Sequence, residues 1–225
     1  MTDSHTIAQF FPFYRFGLRT NPFGTLSEQD WYATTVPPPP VQAALDAGFA
    51  HLMVLGRRGR GKSTTLNYLR YHYTLQGQRV AYERLPAWHW RYTTRLDGVD
   101  VFAFDEMQRL APWEIVRLFH EREKYGVRLL IGSHRNHHPE FTLAGINVTV
   151  VRLDGRMTQA HLAAILQRRL DVFALEGGAG VSFTPDAVDV LFQHYRDDLR
   201  TMNTHLYNVF QRLQEPGPIT AEDVR

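Results

Sequence analysis

Residues 51–63 constrain the fold of this chain more than any other stretch. His51-Leu52-Met53-Val54-Leu55 is a short apolar run ending at glycine, the pattern of a buried strand. It leads directly into Gly56-Arg57-Arg58-Gly59-Arg60-Gly61-Lys62-Ser63, which fits GxxxxGK[ST]. From Lys62 to Leu75 the apolar residues Leu66, Leu69 and Tyr73 recur at helical spacing. The glycines let backbone N–H groups turn inward around an anion, and the helix that follows presents its positive end to it. Lys62 is placed to reach the β- and γ-phosphates of a nucleotide. Ser63 is placed to ligate Mg²⁺, and Thr64 to lie beside the α-phosphate. A glycine-rich strand-to-helix turn that fits by chance is the alternative. The flanking strand and helix argue against it.

The rest of the chain supplies a sheet around this turn. Arg79–Arg84, Val99–Phe104, Val127–Ile131 and Asn147–Leu153 read as further strands. Pro112 opens a helix through about Tyr125, with Ile115, Leu118 and Phe119 on one face. Strands alternating with helices imply a parallel sheet covered on both faces, a three-layer α/β architecture of about five strands. After Leu153 the pattern becomes helical. Thr158 caps a helix through about Glu176 that ends at Gly177-Gly178. Further helices are expected from Thr184-Pro185-Asp186 and over Leu199–Leu213, and Ile219–Glu222 reads as the start of one more turn. The expected division is an irregular arm over 1–40, with Asn21-Pro22-Phe23 and the run Pro37–Pro40, a core over 41–155 and an all-helical lid over 156–225.

The second chemical signal is Val101-Phe102-Ala103-Phe104-Asp105-Glu106, an apolar strand that delivers two carboxylates at its end. Asp105 would hold the Mg²⁺ shell, and Glu106 would orient and polarise an attacking water. An acidic strand-end turn without catalytic meaning is the alternative, and the glycine loop upstream weighs against it.

Composition narrows the classes. The chain has no cysteine, which excludes disulfides, thiolate metal sites and cysteine nucleophiles. Lys+Arg 25 and Asp+Glu 23 nearly cancel, so overall charge makes no case for nucleic acid. Lys62 and Lys124 are the only lysines, which sets Lys62 apart. No apolar run reaches the roughly 18–20 residues of a membrane span. Met1–Phe13 lacks the basic-then-apolar pattern of a signal peptide. A cytoplasmic protein is expected.

With both motifs in hand, the chain resembles the AAA+ ATPase superfamily. It is most similar to the ATPases that include ExeA-type secretion proteins, transposon target-selection regulators and origin-initiator proteins. The opening phrase Phe16-Gly17-Leu18-Arg19-Thr20-Asn21-Pro22-Phe23 is one such proteins often carry. The resemblance implies ATP as ligand with Mg²⁺, and a lid over the core. It implies a polar sensor at Ser133, where the family more often has Asn or Thr. It also assigns Arg200, in Asp198-Leu199-Arg200-Thr201-Met202-Asn203, to the γ-phosphate. An arginine in a first helical turn is disfavoured by the dipole, so an anionic partner would explain it. A surface ion pair with Asp197 or Asp198 would explain it too.

Two features depart from the family. The stretch Phe141–Asn147 holds no arginine finger, and Arg135, Arg152 and Arg156 are the nearest arginines. The link from Leu85 to Gly98 is shorter than in many relatives. A homo-oligomer or a protein partner would then supply the missing arginine.

Three basic or histidine-rich clusters remain. Arg57, Arg58 and Arg60 are more simply solvated loop arginines than contacts to DNA or a partner. Trp88, Trp90, Arg91, Tyr92 and Arg95 interleave aromatics with arginines, a mix that stacks on bases and pairs with phosphates, or else covers a sheet edge. Arg135 joins them as a candidate nucleic-acid contact. His134-Arg135-Asn136-His137-His138 reads as a polar loop whose spacing fits no metal-ligand pattern. Taken together, the expected function is a Mg-ATP-binding ATPase acting as a nucleotide-dependent switch, a regulator of transposition or mobile-element type that assembles on double-stranded DNA. The alternative is an ATPase or low-turnover switch that acts on protein partners in secretion or assembly.

Overall fold

The computed structural model describes residues 12–155 and 157–225, in two compact units. One comprises residues 37–156, the other residues up to 36 together with 157–225. Arg156 and residues 1–11 of the N-terminal segment lie outside the described residues.

The first unit is built on five parallel strands: β1 (His51–Leu55), β2 (Val80–Arg84), β3 (Val101–Asp105), β4 (Arg128–Ser133) and β5 (Val148–Arg152). Their order is β2-β3-β4-β1-β5. β1 is therefore an interior strand, between β4 and β5. It pairs with β4 through Leu52↔Leu130 and Val54↔Gly132, and with β5 through Leu52↔Thr149 and Val54↔Val151. Alternation along the strands divides the core in two. Met53, Leu55, Phe102, Phe104, Leu129 and Ile131 face Ile115, Leu118, Phe119 and Phe141. Leu52, Val54, Val101, Ala103, Leu130 and Val151 face Val41, Ala44, Leu66, Leu69 and Tyr73. The inner strands β1, β3 and β4 are thus buried on both faces. Helices α2 (Pro39–Ala47) and α3 (Lys62–Leu75) cover one face, α4 (Pro112–Tyr125) and α5 (His138–Leu143) the other. This is the three-layer arrangement the alternating pattern implies.

The second unit packs α6 (Gln159–Phe173), α7 (Pro185–Tyr195) and α8 (Leu199–Arg212) around Leu162, Leu166, Leu170, Leu191, Met202, Leu206 and Phe210. Phe16, Leu18 and Phe23 from the N-terminal segment belong to this same core. Asn21-Pro22-Phe23 is fastened there by side chains. The Asn21 carboxamide accepts from the Phe23 amide (3.0 Å) and donates to the Tyr207 carbonyl (3.1 Å), and Arg169 donates to the Pro22 carbonyl (2.8 Å). Burial lowers Arg169 to a pKa of about 10, and its guanidinium lies 5.4 Å from the Phe23 ring centre.

Four local features differ from the sequence reading. Residues 28–34 are not irregular but form helix α1 (Glu28–Thr34), capped by Ser27, whose Oγ accepts from the Asp30 amide. Its seven residues are too few to show helical periodicity. α2 begins at Pro39, inside the proline run, because prolines fit a first helical turn. α5 begins at the last residue of the expected polar loop, where no helix was expected, again with proline in its first turn. Finally, the helical unit carries a short parallel pair, β6 (Val181–Phe183) with β7 (Gly217–Ile219), so Ile219 ends a strand and the expected turn falls just after it, over residues 221–224. Three-residue strands hold too little alternation to be seen in sequence.

Candidate nucleotide site

The glycine loop connects the C-terminal end of β1 to α3. Gly59 (φ 83°) and Gly61 (φ 82°) both adopt left-handed backbone conformations, which other residues rarely take. Gly61 is the N-cap of α3, and no side chain caps that end. The first-turn amides of a fourteen-residue helix therefore face the loop without a side-chain acceptor. Lys62 is buried (5% exposed) at this turn. Its Nζ donates to the Arg57 carbonyl (2.9 Å) and lies 3.4 Å from Nδ1 of His134. Burial pushes its pKa down, and the carboxylates of Asp105, Glu106 and Asp154 work in the opposite direction. Asp154 also braces the loop, accepting from the Arg57 amide at 2.8 Å.

β3 brings the two carboxylates to the same end of the sheet. Asp105 is fully buried, and its Oδ2 accepts from Ser63 Oγ at 2.6 Å. Its Oδ1 accepts from the Glu106 amide at 3.0 Å. The fit beside it is tight: a Cβ on Gly132 would lie 2.5 Å from Asp105 Oδ1. A hydroxyl and a carboxylate this close are hard oxygen donors of the kind Mg²⁺ takes while keeping waters and phosphate oxygens. Among the described residues no cluster of three or more His, Asp or Glu could form an all-protein metal cage.

Glu106 is buried (6% exposed) with φ 69°, unusual for a residue with a side chain. Its Oε2 accepts from Gln108 Nε2 (2.7 Å) and pairs with Arg109 (3.1 Å). Its Oε1 faces His134 Nε2 (3.7 Å) and Arg84 (4.0 Å). Ser133, fully buried, ends β4 between the loop and the acid pair. Its hydroxyl donates to Gln108 Oε1 at 3.1 Å.

Gly56, Gly59, Arg60, Gly61, Lys62, Ser63, Thr64, Asp105, Glu106 and Ser133 thus stand on adjoining loops and strand ends of one unit. Arg200 is an exposed residue in the first turn of α8, in the other unit. Arg135 pairs with Glu140 (3.2 Å) beside Ser133. Trp88, Trp90, Arg91 and Arg95 are exposed on the β2–β3 link. Trp90 meets Trp113 of α4 edge-to-face at 5.9 Å. Sequence reasoning missed Arg84, Gln108, Arg109 and His134. Only their proximity to the acid pair in the fold reveals them. Gln108 and Arg109 were also adjacent to it in sequence, where a short polar turn carried no pattern.

No family model matches the sequence, and no curated protein matches it significantly. Solved structures are similar to it. RuvB of Thermotoga maritima, a Holliday junction branch migration motor, aligns with TM-score 0.56 at 18% identity, over 82% of this chain and 63% of that one. Aquifex aeolicus DnaA bound to AMPPCP aligns with TM-score 0.54 at 14% identity, over 76% and 59%. NtrX from Brucella abortus in complex with ADP gives 0.50 at 14% identity, over 90% and 55%. The chain spans less than two thirds of each of these proteins. With the sheet order, the glycine loop after β1 and the acid pair after β3, these likenesses give the chain the fold of the AAA+ ATPases.

Proposed function

We propose that the chain binds Mg-ATP at the Gly56–Thr64 loop and hydrolyses it slowly, as a nucleotide-dependent switch in the cytoplasm. The observation that carries this reading is the Ser63–Asp105 hydrogen bond of 2.6 Å beside the buried Lys62 ammonium. It brings the expected cation ligands and the expected phosphate partner to one helix end. Lys62 exchanges the Arg57 carbonyl for β- and γ-phosphate oxygens, and the α3 amides hold the phosphates. Ser63 and Asp105 would hold Mg²⁺, which when bound would supply positive charge against the phosphates. Glu106 orients a water for in-line attack, and Ser133 contacts the γ-phosphate.

The proposed partner is DNA, with the protein as a regulator of transposition or mobile-element type that assembles on the duplex. Trp88, 98% exposed, and Trp90, Arg91 and Arg95 support it as an exposed surface on which arginines can meet duplex phosphates. An arginine from a neighbouring copy or a protein partner would complete hydrolysis. A protein client is favoured by one observation: Trp113 and Val116 expose apolar surface on α4 (64% and 67%), where base-reading would need polar groups. Titration with a fluorescent ATP analogue tests the binding core. Micromolar affinity that needs Mg²⁺ and is lost in Lys62→Ala is expected, and equal affinity in that variant would reject the loop as the nucleotide site. Salt-sensitive duplex binding that needs ATP would favour the DNA reading; ATP-independent retention of DNA, or none, would favour the protein client.

A further inference from the structure

The tip of β4 touches both halves of the site. The Ser133 carbonyl accepts from the amide of Gly56, first residue of the glycine loop, at 3.3 Å. Its hydroxyl oxygen accepts from the Arg135 amide (3.1 Å), and the hydroxyl proton goes to Gln108 Oε1 (3.1 Å). The same Oε1 accepts from the His134 amide, also at 3.1 Å. Two donors on one atom fix the carboxamide: oxygen toward β4, Nε2 toward Glu106, where it donates at 2.7 Å. A continuous path therefore runs from Gly56 through Ser133 and Gln108 to the Glu106 carboxylate.

We infer that Gln108 is a positioning residue that transmits occupancy of the phosphate site from Ser133 to Glu106. The inference rests on the ATPase reading above. A serine hydroxyl carries one proton and donates one hydrogen bond. Here Gln108 receives it. A phosphoryl oxygen beside Ser133 competes for the same proton. When the hydroxyl turns to phosphate, Gln108 Oε1 keeps only the His134 amide, its pull toward β4 weakens, and its Nε2 is free to follow Glu106 Oε2 and hold it in line. With Arg109 on the same oxygen and Arg84 and His134 facing the other, Glu106 is otherwise held by basic side chains. Gln108 thus makes the alignment of the base depend on what Ser133 touches.

The test is a double-mutant cycle in the full chain, with nucleotide affinity, melting temperature, kcat and KM for ATP measured with and without double-stranded DNA. Gln108→Leu should lower kcat about ten- to a hundredfold while KM and nucleotide affinity stay within about threefold. Ser133→Ala should lower kcat as well, and the double variant should be no slower than the slower single one. Gln108→Glu keeps the acceptor toward Ser133 but donates to Glu106 only when its own carboxyl is protonated. Its kcat relative to wild type should therefore rise as pH is lowered. Multiplicative losses in the double variant, or a Gln108→Leu enzyme with wild-type kcat, would overturn the coupling and leave the ATPase reading intact. Wild-type protein that binds ATP but turns it over in no condition would remove that reading, and the coupling with it.

Discussion

Gly132 shows how little room the residues of this site have. A side chain there would meet Asp105 Oδ1 at 2.5 Å and Leu66 Cδ1 at 2.8 Å, so either the carboxylate or the α3 packing must move. Gly132→Ala should destabilise the protein by about 1–3 kcal/mol, read as a fall in melting temperature. It should also weaken Mg²⁺-dependent nucleotide binding more than Mg²⁺-independent binding; an equal effect on both would place Asp105 away from the cation. Trp88 is the opposite case. Its indole is 98% exposed and its backbone is left-handed (φ 68°), so folding gains nothing from it. Trp88→Gly should leave stability unchanged or raise it by about 1 kcal/mol, since glycine takes this backbone region freely. On the proposed function the same change should weaken DNA binding, and unchanged binding would remove the link from the interface.

At the level of elements, β1 begins with a buried histidine that ties it to its neighbours. His51 Nδ1 accepts from the Leu129 amide (3.0 Å), and Arg122 lies 3.1 Å from Nε2. Burial, with Arg122 and Arg128 nearby, lowers its pKa from 6.5 to about 4. The unfolded chain therefore takes up this proton first as pH falls. The stability that neutral His51 contributes is complete above about pH 6.5 and is lost as pH drops toward 4, by up to about 3 kcal/mol. His137 and His161 are also lowered by burial and share part of that slope. The difference between wild type and His51→Gln in denaturant melts across this pH window isolates the His51 part. Parallel curves for the two proteins would show that His51 is not the titrating group.

His51 also marks what can be seen in sequence at this scale. The run His51–Leu55 reads correctly as a strand, but that its first residue accepts a ladder amide through its ring depends on β4 lying alongside. The loop and the acid pair were legible as local patterns on strand ends, whereas Ser133 entered only through the family resemblance. Gln108, Arg109, Arg84 and His134 come from three separate strand ends that meet only through the order β2-β3-β4-β1. Helices α1 and α5 were missed because one or two turns cannot display a period of 3.6. Ser27 and Pro139 were their only sequence signals.

For the whole molecule, the segment before Pro37 belongs with residues 157–225 although the chain places the sheet unit between them. Phe16, Leu18 and Phe23 are nearly fully buried against Leu162, Leu170, Phe173 and Phe210. Each such side chain contributes roughly 1.5–3 kcal/mol by leaving water. A chain that starts at Leu26 should lose the helical signal of α6–α8 at a lower temperature than the full chain; identical melting would contradict the shared core.

The central claim is that Glu106 acts as the base of an ATP-hydrolysing site built on the Gly56–Ser63 loop. The most direct test is phosphate release from ATP by purified protein, with and without double-stranded DNA, beside Glu106→Gln. The account predicts turnover that DNA increases, and a Glu106→Gln protein that binds ATP as tightly as wild type but releases no phosphate. Turnover by Glu106→Gln equal to wild type would contradict it.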